Sequence, residues 1–232
     1  MQGVPRQISR GGEPLSASRA GGATQLVWDL PTRLFHWLLA ALIVFSWWTV
    51  HHHHVDWHIW SGCAILTLLI FRILWGFFGS STARFSSFVR GPRGVARYLR
   101  GGWSGIGHNP LGAISVLALL LALAVQIGLG LISEDEDGLN LGPLANLVST
   151  DTSDRARDIH ALWFYVILAL VVVHLVAIVI YRMRGRYLTL PMITGRSRLA
   201  TASMRPGKWW AALICLAVSI GIVRWIIAGA PF

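Results

Sequence analysis

Residues 159–181 read IHALWFYVILALVVVHLVAIVIY, and the two histidines in this run decide the reading of the chain. The run holds no Asp, Glu, Lys or Arg and is long enough to cross the hydrocarbon core, which takes about 20 helical residues. Backbone polar groups in lipid must be satisfied within the segment, so the run predicts a helix. His160 and His174 are fourteen residues apart, which is about 1400° of helical rotation and about 21 Å of rise. They therefore project from nearly one face, close to opposite sides of a bilayer. A strongly polar side chain inside a membrane helix is costly and marks a functional position.

The rest of the chain has the same character. It is 54% hydrophobic and 13% charged, whereas a soluble domain carries roughly 25% charged residues. Four more apolar runs of spanning length cover residues 32–50, 57–78, 111–132 and 209–228. Pro31 and Pro110 suit the entrances of the first and third helices, and Gly79 closes the second. The net charge of +10 is carried in loops between these runs, which excludes a nucleic-acid binder and gives the orientation instead. Residues 1–25 read as a cytoplasmic arm with no apolar core, not as a secretory leader. Arg6, Arg10, Arg19 and Arg33 precede or open the first span, and the next loop has no Lys or Arg. Arg84, Arg90, Arg93, Arg97 and Arg100 follow the second span. Arg155 and Arg157 precede the fourth span beside Glu134, Asp135, Glu136, Asp137, Asp151, Asp154 and Asp158. Arg182, Arg184, Arg186, Arg196, Arg198, Arg205 and Lys208 follow it. The alternation predicts a cytoplasmic N-terminus and a periplasmic Phe232 in a bacterial inner membrane. Cys63 and Cys215 lie inside apolar runs and read as small core residues.

Depth pairs the histidines. The first helix runs outward and the fourth inward, so His36 and His174 share the cytoplasmic half. The second helix runs inward, so His58 and His160 share the periplasmic end. No single metal ion bridges about 21 Å, but two haems stacked across the membrane can, each with two axial imidazoles. The predicted iron ligands are thus His36, His58, His160 and His174. Gly62 lies one turn from His58 and leaves room for a porphyrin, and Gly76, fourteen residues on, repeats that clearance. Arg72, on the same face, is a candidate partner for a haem propionate; its alternative is snorkelling to the cytoplasm. His51 to His54 read as a solvated outer tract, with surface Zn or Cu binding as the alternative and His54 a rival outer ligand. His108 reads as a cap or surface residue, with a quinone-site proton carrier as the alternative.

These residues also carry a resemblance. Residues 27–37, VWDLPTRLFHW, resemble the first helix of bacterial cytochrome b561 proteins and the cytochrome b subunits of nickel–iron hydrogenases. His58 with Gly62, Phe71-Arg72 with Trp75-Gly76, Gly107-His108-Asn109-Pro110-Leu111-Gly112, and His160 with His174 fit the same pattern, over residues 26–198. The resemblance implies an all-α four-helix bundle holding two b haems from helices 1, 2 and 4. Residues 199–232, with a fifth membrane helix, lie beyond it. It also implies coupling to the quinone pool, near Arg72, Arg33 and His108 or near His58. The fifth helix and the histidine tract depart from the hydrogenase subunits.

Three functions follow. The first is electron transfer between quinone and a redox partner, such as a hydrogenase or a basic c-type cytochrome docked on the acidic loop. The second is direct oxidation or reduction of superoxide or a ferric species at the outer haem. The third, a haem-free metal carrier or transporter, calls for repeats or broken helices near the midplane, which the sequence lacks.

Overall fold

The computed structural model describes residues 24–101, 106–135, 137–200 and 202–229. Most of the arm predicted over residues 1–25, and Phe232, lie outside them. Five helices are long and apolar enough to cross a membrane: α1 (Leu30–His51), α2 (Val55–Phe78), α5 (Pro110–Leu131), α6 (Thr150–Met183) and α8 (Trp209–Ile227). Among the described residues, three short α-helices, α3 (Phe85–Phe88), α4 (Pro92–Leu99) and α7 (Thr189–Thr194), and one 3-10 turn (Ala145–Leu147) lie between them. Strands β1 (Gln25–Leu26) and β2 (Arg196–Ser197) pair antiparallel. The protein is an all-α membrane protein apart from this strand pair.

Local chemistry sets the helix starts. Asp29 caps α1 by accepting from the Thr32 amide at 2.7 Å, and Pro31 fits the first turn. The other Asp29 oxygen accepts from Trp75 Nε1 at 3.0 Å, which locks the start of α1 to the end of α2. Asn109 caps α5 by accepting from the Gly112 amide at 2.8 Å. Helix α6 begins at Thr150 rather than at Ile159, the start of its apolar run. Ser149 caps it, and Asp154 and Arg157 pair at 2.7 Å along its first turns. Hydropathy detects the part of a helix that lipid needs, whereas these extra turns are held by caps and polar pairs.

Helix α1 packs on α2, α5 on α6, and α2 also on α5 and α8. Phe35, Phe71, Trp75 and Cys215 form one buried cluster; Cys63, Ile65, Leu66, Ile127 and Val223 form another. Both cysteines are free and buried, each in a different cluster. Helix α8 thus covers an outer side of α2. Most side chains of α6 outside these contacts are apolar and outward-facing, as lipid requires.

One end of the bundle is tied by the arginine-rich segments. Val27 and Trp28 amides donate to the Gly195 carbonyl at 2.8 and 3.1 Å. Thr82 Oγ1 donates to the Val27 carbonyl at 2.7 Å, and the Ser81 amide to the Arg205 carbonyl at 3.0 Å. Gly195 ends α7 with φ +81°, and a Cβ there would stand 2.9 Å from the Trp28 carbonyl oxygen. Arg33 Nη1 donates to the Ile193 carbonyl, and Trp37 Nε1 to that of Met192 at 3.2 Å. Arg33 is therefore engaged in fixing α7 to α1.

Candidate functional site

At the end away from the arginine-rich segments, His58 on α2 and His160 on α6 face each other. Their ring centroids are 6.0 Å apart and their planes are nearly perpendicular, at 88°. His58 Nδ1 lies 3.0 Å from the Ser46 carbonyl oxygen and 3.1 Å from the Ser46 hydroxyl on α1. His160 Nδ1 donates to the Gln126 carbonyl on α5 at 2.9 Å. A carbonyl cannot donate, so the His160 imidazole carries its proton on Nδ1 and holds the lone pair on Nε2. Backbone carbonyls orient metal-binding histidines in this way. Gln126 Nε2 donates to His160 Nε2 at 3.2 Å, which keeps that lone pair in use. Gly130 lies behind the ring: a Cβ there would stand 2.9 Å from His160 Cε1. With metal–imidazole bonds of about 2 Å on each side, two imidazoles on opposite faces of one metal have centroids about 6 Å apart.

The second group lies toward the arginine-rich end. His36 lies on α1 and His174 on α6, and His36 Nδ1 is buried with no hydrogen-bond partner. Arg72 on α2 is 2% exposed. Neither of its Nη atoms has a hydrogen-bond partner, and its guanidinium sits 5.0 Å from the centre of the Phe85 ring. His108 is not the cap of α5; Asn109 is. The His108 ring turns inward between Trp28 and Phe88, at centroid distances of 4.6 and 4.9 Å. Burial holds its pKa down to about 3, and the positive charge of Arg72 pushes the same way. His108 is therefore a neutral imidazole, with Nδ1 buried and unpartnered.

The two glycines differ. A Cβ at Gly62 meets no protein atom within 4 Å, so the space expected there exists. The space above Gly76 is filled by the Phe85 ring, which a Cβ would strike. Gly76 makes room for an aromatic residue of α3, because the loop after α2 folds back onto the bundle instead of staying in solvent.

The histidine tract is set aside from both groups. His51 and His52 donate from Nδ1 to the Trp47 and Trp48 carbonyls, each at 2.8 Å, and lie against the rings of those residues. His54 is exposed, with its ring 5.9 Å from that of Trp48; His58 is the residue that faces His160. Among the described residues, no group of three or more His, Cys, Asp or Glu is placed to hold a bare metal ion. Imidazoles in pairs complete a metal's coordination only when the remaining ligands arrive with it, as the four nitrogens of a porphyrin do. The residues present therefore fit haem and do not fit a bare ion.

Sequence reading missed Ser46, Gln126 and Gly130. Gln126 carried a usable signal, being the one amide side chain in an otherwise apolar span. Gly130 lies one turn further on the same face.

The family model of prokaryotic cytochrome b561 matches residues 27–195. The chain belongs to the prokaryotic cytochrome b561 family. It is a multi-pass bacterial membrane cytochrome that binds haem b and transfers electrons. The matched region of this cytochrome starts at Val27 and ends at Gly195, the two residues joined by the amide–carbonyl bond at 2.8 Å that ties the bundle end. Helix α8 lies outside it. No curated protein and no solved structure significantly matches the chain.

Proposed function

We propose that this cytochrome carries electrons across the membrane through two b haems, between the quinone pool and a redox partner protein such as a c-type cytochrome or a hydrogenase. In this reading a four-helix bundle of α1, α2, α5 and α6 holds the haems. His58 and His160 ligate the outer haem, and His36 and His174 the inner one. The observation that carries the reading is the facing of His58 and His160, oriented by Ser46 and by the Gln126 carbonyl. Haem iron, when bound, supplies one-electron chemistry, and two imidazoles saturate it, which favours electron transfer over oxygen chemistry.

The remaining roles belong to the chain. Ser46 orients the His58 imidazole, and the Gln126 carbonyl holds His160 in the tautomer that binds metal through Nε2. Arg72 offers two buried, unpartnered Nη groups, which suit a propionate, and neutral His108 offers a further buried nitrogen beside it. Helix α8 shields α2 from lipid. The arginine-rich end faces the cytoplasm and the His58–His160 end faces the periplasm.

Gly62 separates this reading from simple packing. Glycine to leucine in a helix interior is favourable by about 0.8 kcal/mol, and the added Cβ meets no protein atom. The Gly62→Leu protein is therefore expected to fold yet lose the outer haem b, measured as a fall of about half in the absorbance ratio of the Soret band to the protein band. An unchanged ratio removes Gly62 from the haem contact.

The function itself is tested with purified protein and a water-soluble quinol. Quinol is expected to reduce the b-type bands, and added ferricytochrome c to reoxidise them. Steady turnover with superoxide or ferric chelate in place of the protein partner, at the same rate, would favour direct action at the outer haem instead.

A further inference from the structure

Helix α4 is short, polar on one side and fixed in place. Val95 and Tyr98 turn toward the bundle, while Arg93, Arg97 and Leu99 are exposed. The Tyr98 and Tyr181 hydroxyls hydrogen-bond at 2.5 Å, and Asn109 Nδ2 donates to the Tyr181 hydroxyl at 2.7 Å. Asn109 also caps α5. Helix α4 is thereby joined to the ends of two spanning helices, at the level where their apolar stretches stop. Burial and the bond to Tyr181 push the Tyr98 hydroxyl up to about 12, so it stays neutral; Arg186 and Arg184 are close enough to pull the other way. Because Tyr181 lies in the last turn of α6, its bond to Tyr98 brings α4 next to the exposed Arg184 and Arg186 that follow that helix.

That basic region has no protein counter-ion. Among the described residues, the ion pairs join Arg157 to Asp154 and to Asp158, at the opposite end of the bundle. Asp29, the one described carboxylate at this end, is buried and committed to the Thr32 amide and Trp75 Nε1. Exposed apolar side chains stand beside the arginines: Leu99 at 68% and Met183 at 83% exposure. Unpaired cations next to exposed apolar groups, at the depth of the helix ends, are complementary to the surface of an anionic bilayer. Orientation of the chain alone needs positive charge on this side, but not a helix anchored by side chains to the ends of two spanning helices.

We propose that α4 is an interfacial helix and that Arg93, Arg97 and Arg100, together with Arg184 and Arg186, bind the phosphate headgroups of anionic phospholipid. The inference is independent of the haem assignment. Full-length protein is reconstituted in bilayers of phosphatidylglycerol and phosphatidylcholine, extracted in mild detergent, and its retained lipid is identified by mass spectrometry. The wild type is expected to retain phosphatidylglycerol in preference, less so as salt rises. That preference falls about fivefold for each arginine removed in R93Q/R97Q/R184Q/R186Q, and the corresponding lysine variant restores it. Helical circular dichroism reports folding, so haem content does not enter the result. Equal retention of the two lipids by the wild type overturns the proposal, even if the glutamine variant does not fold. So does a preference that survives in the folded glutamine variant, or one that inorganic phosphate abolishes at matched ionic strength.

Discussion

Replacing His160 with alanine is expected to remove one of two haems and leave the other intact. The ring of His160 is held by the Gln126 carbonyl at 2.9 Å and faces His58 at 6.0 Å. No neighbouring side chain can take its place, because the nearest polar group, Gln126, has an amide where an imidazole is needed. The pyridine haemochrome of His160→Ala should therefore show about half the wild-type haem per chain. His174→Ala should also lose about half, with the other component of a redox titration disappearing. The double variant should be haem-free. His54→Ala should match the wild type, since its ring lies against Trp48 on the outer surface. Equal loss of both components from either single variant would mean that the two pairs do not form separate sites.

A substitution that leaves every ligand in place is expected to act almost as strongly. At Gly130 an added Cβ would lie 2.9 Å from His160 Cε1 and 3.2 Å from Nδ1. Both are tighter than ordinary van der Waals contact, and the ring cannot withdraw while Nδ1 stays bonded to the Gln126 carbonyl. Gly130→Val must displace the imidazole, break that bond, and leave Nε2 misdirected. The expected result is loss of most of the outer haem, with the inner component kept. Gly128→Val is the control: a Cβ there meets nothing within 4 Å, so the haem ratio should hold. If both glycine variants retain full haem, His160 is not oriented as described.

Much of this arrangement was legible in the sequence, for a physical reason. Lipid imposes both length and apolarity, so all five spans were visible as uninterrupted runs. The alternating direction of those spans let depth alone group His58 with His160, and the structure places those rings 6.0 Å apart, edge to face. What stayed hidden depended on short polar contacts. The first turns of α6 are held by Ser149 and the Asp154–Arg157 pair, which hydropathy does not register. Helices α3 and α4 lie in loops whose sequence shows mainly arginine and glycine. Phe85 of α3 then took the space that spacing alone had given to Gly76. His108 stood next to a cap residue in sequence and was read as one. Its true neighbours, Trp28 and Phe88, come from segments far away in the chain.

The central claim is that two histidine pairs hold two haems in one chain. It is tested most directly by counting haem b against protein in the purified full-length chain, with pyridine haemochrome for the one and quantitative amino-acid analysis for the other. The account predicts two haems per chain. A value of one in fully loaded protein, unchanged by excess haem during expression, would contradict it.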